Sequence, residues 1–206
     1  MSDLGRRAHW ENVYTTKSEQ EVSWFQEFPS ISLSLIRSTG ATAHSAIVDI
    51  GGGASRLVDA LVDEGFEAVA VLDVSESALS AAKGRLGQRA AKVTWIVADV
   101  TRWEPVQRYD VWHDRAAFHF LTDETDRAAY VERLRRALQP AGYAIIATFA
   151  TDGPERCSGL PVVRYDAASL GKALGAGFAL VETRRDDHRT PLGSTQRFQY
   201  STFRRS

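Results

Sequence analysis

An open α/β fold, a mostly parallel sheet with helices on both faces, is predicted by three observations. From residue 46 onward, Val- and Ile-rich apolar runs alternate with segments of helical spacing. The runs are continuously apolar instead of alternating in and out, as strands covered on both faces require. Two final strand-like stretches, 178–185 and 196–203, are joined by the turn-rich "HRTPLGST" and fit a closing hairpin.

The elements follow in order. Residues 1–44 carry Trp10, Tyr14, Trp24 and Phe25 in a polar setting that reads as helical. The strand "AIVDI" precedes a helix over 55–64. "AVAVLD" precedes one over 76–86, with Ser75 as N-cap and Glu76 in its first turn. "KVTWIVAD" and "YDVWH" are the next strands. The helix in "TDETDRAAYVERLRRALQPAG" has Thr122 or Asp123 as N-cap, acids in its first turn, arginines in its last, and Val131, Leu134 and Leu138 on one stripe. Gln139, Pro140, Ala141 and Gly142 are expected to stop it and turn the chain into "YAIIATFA". With 206 residues and no interdomain linker, one domain is expected over 1–206, a cap over 1–44 and a core over 45–206.

Composition removes several classes of function. There are 25 basic and 26 acidic residues, so no strong field is available to hold a nucleic acid or an anionic membrane. Cys157 is the single cysteine, which leaves no internal disulfide and no thiolate cluster for zinc, and fits a cytoplasmic setting. His113 and His119 have the wrong spacing for one helical face and His188 lies far downstream, so no metal is expected. The start has no apolar core of a signal peptide, and no apolar run is long enough to span a membrane.

Gly51, Gly52 and Gly53 occupy the first strand-to-helix turn, where an open α/β sheet lets a ligand approach the backbone. A tight turn alone needs one glycine or two. The dinucleotide fingerprint fails, because Arg56 stands at its third glycine. The next strand ends at Asp73, whose carboxylate can accept from both hydroxyls of a ribose; capping the following helix is the alternative. A ribose without a pyrophosphate fits best. The third strand ends in "VADVT", so Asp99 reaches the same sheet edge, its carboxylate able to accept an adenine amine beside the Val100 N–H.

"VDIGGG", "VLD" and "VAD", in this order, resemble the class I S-adenosylmethionine-dependent methyltransferases from about residue 46 to the end of the chain. The resemblance implies a Rossmann-like sheet of seven strands with the last antiparallel, S-adenosylmethionine as cofactor, and an enzyme. It implies that Asp49 and the glycine turn hold the methionine portion, Asp73 the ribose, and Asp99 with Val100 the adenine. Ser55 stands where the family often has another glycine. The opening "HWENVYTTKSEQEVSWFQEFPSISLSLI" resembles a subgroup containing lysine methyltransferases of elongation factor 1A and citrate synthase. Trp10, Tyr14, Trp24 and Phe25 are the matching positions, and the resemblance implies a lid over the cofactor; helix packing on the sheet is the alternative.

The acceptor is expected beside the end of the fourth strand, in "YDVWHDRAAFHFLTDE", where His113, Asp114, Arg115 and His119 cluster. Relatives that modify lysine carry a second acid where this chain has His119. Catalytic or acceptor-binding roles are therefore expected for Asp114, Arg115 and His119, with His119 as base near neutral pH and a polar or anionic small molecule as substrate. Bland alternatives are a cap for Asp114, an ion pair for Arg115 and packing for His119. Transfer to a protein lysine is the second functional reading, and a binding module that lacks turnover the third.

Overall fold

The structure is a computed structural model, and it describes residues 3–206. Helix α1 (Asp3–Thr16), a 3-10 turn at Glu19–Glu21 and helix α2 (Ser30–Ser38) precede the sheet. There follow β1 (Ala46–Ile50), α3 (Leu57–Asp63), β2 (Ala68–Asp73), α4 (Glu76–Leu86), β3 (Val93–Val97), β4 (Tyr109–Arg115), α5 (Glu124–Ala137) and β5 (Leu138–Phe149). A small hairpin of β6 (Arg156–Cys157) and β7 (Leu160–Pro161) leads to α6 (Ala167–Leu174), β8 (Phe178–Arg189) and β9 (Thr195–Arg205).

Seven strands form one sheet in the order β3-β2-β1-β4-β5-β9-β8. The first five run parallel, while β9 is antiparallel to both β5 and β8. Strand order reverses between β1 and β4, and the crevice beyond the carboxyl ends at such a reversal is where open α/β sheets bind ligands. Alternate residues of each strand feed two cores. Ile47, Val69 and Val71 pack with α2, α3 and α4 on one face; Val48, Ile50 and Trp112 pack with α5 and α6 on the other. Among the described residues no helix is long and apolar enough to cross a membrane.

Local chemistry accounts for the helix starts. Ser75 Oγ accepts from Ala78 N, and Asp123 accepts from Thr125 N, so Asp123 and not Thr122 caps α5. The link "HRTPLGST" does make the hairpin turn, its loop 190–194 closed by the Thr190–Ser194 backbone pair. Two expectations need correction. The stretch 139–142 is no loop: α5 runs directly into β5, and Ala141 at φ 63° absorbs the turn as a bulge. Nor is 1–44 one cap, because α2 buries Leu33, Leu35 and Ile36 in the core beside Ile47 and Leu61.

Candidate active site

A cleft enclosing about 860 Å³, part of it open to solvent, lies over the carboxyl ends of β1, β2, β3 and β4. Of the residues expected from sequence, Gly51, Asp73, Asp99, Val100, Arg115, Trp10, Tyr14 and Trp24 all line it. The β2 carboxylate, Asp73, accepts Ser75 N–H at 2.8 Å through Oδ1. Burial, with Asp49 nearby, pushes its pKa up to about 7. Asp99 Oδ1 accepts from the N–H and hydroxyl of Thr101 at 2.8 and 2.7 Å, while Oδ2 accepts from Arg6 Nε at 2.8 Å. Burial works against ionisation there, but these donors prevail and hold the Asp99 carboxyl below the ordinary range.

The glycines are demanded first by the protein. Gly51 and Gly53 have φ of 64° and 46°, so side chains are strained at both. A Cβ on Gly51 would stand 2.8 Å from Ala117 Cβ; on Gly52, 2.6 Å from Asp49 Oδ2; on Gly53, 2.9 Å from the Tyr14 hydroxyl and 3.0 Å from Asp73 Oδ2. Bare backbone at this turn is what allows the acids of β1 and β2 and the lid tyrosine to converge on one place. Gly52 and Asp49 border a second, adjoining cleft together with Glu19, Arg56, His113 and Arg115. Asp49 is buried, its Oδ1 2.7 Å from His113 Nδ1, and His113 Nε2 is 2.9 Å from Ser32 Oγ. A carboxylate oxygen accepts, so the Nδ1 proton is directed at Asp49, and the Ser32 hydroxyl, able to donate or accept, closes the chain at Nε2. This chain ties α2 to the acid beneath the glycine turn.

Helix α1 roofs the cleft. Trp10 packs edge-on against Trp24 and Phe120 with ring centroids 5.6 and 5.0 Å away, and Tyr14 meets Trp24 at 6.3 Å. Polar contacts clamp the roof at both ends: Arg6 reaches Asp99 and Asp126, and Glu11 accepts from Ser75 Oγ, Ser77 N and Ser77 Oγ at the start of α4. Sequence reasoning missed Arg6 and Glu11, since a charge on a polar helix carries no sign of its partner.

At the end of β4 the structure separates residues that the sequence had grouped. Asp114 is fully buried and absent from the cleft wall. Its carboxylate accepts from Ala117 N, Phe118 N and the Tyr130 hydroxyl, 2.6 Å away, while burial pushes its pKa up to about 6. This capping holds the turn that carries Ala116, at φ 73°, into the cleft. The expectation of His119 as base is corrected: it is fully buried between Phe120 and Phe149, and Nδ1 accepts Phe149 N–H at 3.2 Å. Burial, reinforced by Arg115, pulls its pKa down to about 3, so the ring is neutral with no proton to exchange near pH 7. Arg115 does line the cleft. Nε donates to the Tyr200 hydroxyl at 3.0 Å, Nη1 to Trp24 O at 2.9 Å, and the guanidinium lies 4.7 Å from the Phe198 ring centroid. Cys157 borders the same wall, and burial raises its thiol to about 11, which makes it a neutral wall residue.

The donor set fits the cofactor that the sequence implies: a buried carboxylate for a ribose at Asp73, an acid and the neighbouring backbone on the cleft wall at Asp99 and Val100, and aromatic cover from α1. Comparison with known proteins agrees. A family described as a methyltransferase domain matches residues 47–142. The N-terminal Xaa-Pro-Lys N-methyltransferase 1 of Rattus norvegicus is 28% identical over 194 residues, covering 89% of this chain and 80% of that protein. The eEF1A lysine and N-terminal methyltransferase of Bos taurus is 22% identical over 142 residues, 68% of this chain, which spans only 20% of that protein. Among solved structures, the Burkholderia thailandensis 1,6-didemethyltoxoflavin-N1-methyltransferase with bound 1,6-didemethyltoxoflavin and S-adenosylhomocysteine superposes with a TM-score of 0.70 at 20% identity, over 98% of this chain and 85% of that one. Together, the methyltransferase-domain match over residues 47–142 and these likenesses support a class I S-adenosylmethionine-dependent methyltransferase with S-adenosylmethionine as its cofactor.

Proposed function

We propose that the enzyme methylates a polar small molecule, in a cytoplasmic setting. The observation that carries this reading is the roof: α1 and the segment through Trp24 cover the cleft with aromatic rings, which favours an acceptor small enough to enter beneath them. The toxoflavin-precursor enzyme supports the same class of acceptor. In this reading Asp73 accepts from the ribose, Asp99 and the Val100 N–H meet the adenine, and Asp49 with Gly51, Gly52 and Gly53 faces the methionine portion. The cofactor supplies a methyl carbon already activated by a sulfonium, so the chain's task is alignment and exclusion of water. Trp10, Tyr14 and Trp24 exclude water, and the Asp114-capped turn sets the wall at Ala116 and Ala117. With His119 neutral and enclosed, no side-chain base is assigned, and the acceptor brings its own lone pair.

A second reading, transfer to a protein amine, is favoured by the likeness to the N-terminal Xaa-Pro-Lys enzyme over 80% of its length. Transfer of labelled methyl into a cell-extract metabolite pool and into the matching protein pool separates the two. Label in the metabolite pool is expected. Label confined to protein replaces the first reading with the second.

A further inference from the structure

Among the described residues Arg115 is a cation without a counterion: no carboxylate pairs with it, its two bonded nitrogens meet neutral oxygens, and Nη2, shielded from solvent, has no hydrogen-bond partner. Leaving a buried charged donor unmatched is costly, and a fold keeps such a group where something else completes it. The groups packed on it do not supply a charge: His119 and Cys157 are held neutral, and His188 donates Nε2–H to Ser23 O while burial and Arg115 lower its pKa. Asp49 and Glu19, which border the adjoining cleft, are engaged by His113 and by Arg56 and Arg85. Direction matters as well. The side chain leaves β4 away from β1 and crosses to Tyr200 and Phe198 on β9, beyond β5 in the sheet. The glycine turn, Asp73 and Asp99 all lie on the opposite side of β4.

We propose that the acceptor carries a carboxylate which Arg115 receives through Nη2, with a flat apolar body packed among Phe198, Phe120 and Trp24. A planar guanidinium fixed at two nitrogens and stacked on a ring is preorganised for such an anion. The geometry assigns this subsite to the acceptor because Tyr200 and Phe198 of β9 hold the guanidinium on the wall away from Asp73 and Asp99. Arg115 also borders the adjoining cleft with Gly51 and Gly52, and the S-adenosylhomocysteine arm of the test separates the methionine carboxylate. The inference rests on the small-molecule reading above.

The test titrates protein saturated with S-adenosylhomocysteine with benzoate and with benzamide, which differ in charge at nearly constant shape. Benzoate is expected to bind at least about tenfold more tightly. In Arg115→Met the preference vanishes while affinity for S-adenosylhomocysteine stays within about threefold, which also reports that the variant is folded; Arg115→Lys keeps part of the preference. Benzoate binding no tighter than benzamide, or a preference that survives Arg115→Met, overturns the proposal. Parallel loss of S-adenosylhomocysteine affinity in both variants also overturns it and gives Arg115 to the cofactor. Failure of the underlying reading is seen separately, as methyl label found only in protein.

Discussion

On the cofactor side of β4, Asp99 is matched by Arg6 and Thr101, Asp49 by His113, and Glu11 by the serines that open α4. On the other side, proposed for the acceptor, Arg115 is packed by neutral histidines, a neutral thiol and aromatic rings. The first side is an arrangement of charges completed within the protein, so it is rigid before a ligand arrives. The second keeps one charge unmatched and desolvated, so discrimination there comes from whatever supplies the opposite charge. Asp73 resembles Arg115 in one respect, since burial and the neighbouring Asp49 outweigh the backbone N–H groups that face it and hold its pKa near 7, so a ligand donor has most to add there.

If Asp73 is the group on the cofactor side that waits for its ligand, removing it has the largest effect. Asp73→Ala is expected to weaken S-adenosylhomocysteine by about 2–4 kcal/mol, two charge-assisted hydrogen bonds less their solvation. Calorimetry checks this, and unchanged affinity removes Asp73 from the site. The pH dependence follows from the same group. An unfolded aspartate titrates near 4 and the folded one near 7, so its contribution to stability is fully present below about pH 4 and is lost as pH rises through about 7. Asp73→Asn should therefore raise the melting temperature of ligand-free protein at pH 8 and leave it nearly unchanged at pH 4. Cofactor affinity in the wild type should run the other way, growing with pH through about 7 as the acceptor ionises.

The matched acids should respond mainly in stability. His113→Phe strands the buried Asp49 carboxylate and is expected to cost about 1–3 kcal/mol in chemical denaturation, with Ser32→Ala costing less. If His113→Phe proves neutral, the Ser32–His113–Asp49 chain is incidental packing. Smaller still, Glu11→Ala is expected to speed S-adenosylhomocysteine release a few fold, an effect that shrinks as salt is raised, since a partly exposed clamp is screened. The smallest effect belongs to His119→Leu. Its kcat/KM should stay within about threefold of wild type with no change in the pH profile, whereas loss of a limb near neutral pH would restore His119 as a base.

Much of this architecture was legible in the residue pattern because it depends on local periodicity and on short segments with one dominant use. Continuous apolar runs mark strands buried on both faces, Ser75 marks the start of α4, and the acids closing β2 and β3 reach one edge because parallel strands end together. Helix α6 was missed, although Asp166 and Ser169 form a capping box there, because eight residues show little periodicity. The direct passage from α5 into β5 was hidden by "QPAG", residues that ordinarily make a loop and here make a bulge. Where a side chain at the end of β4 points was decided only by tertiary structure. Asp114, Arg115 and His119 read alike as titratable groups, yet one caps a turn, one crosses to β9 and one is enclosed by phenylalanines. Role here depends on desolvation and on partners distant in the chain, such as Tyr200 for Arg115 and Phe149 for His119, and neither is encoded in local sequence.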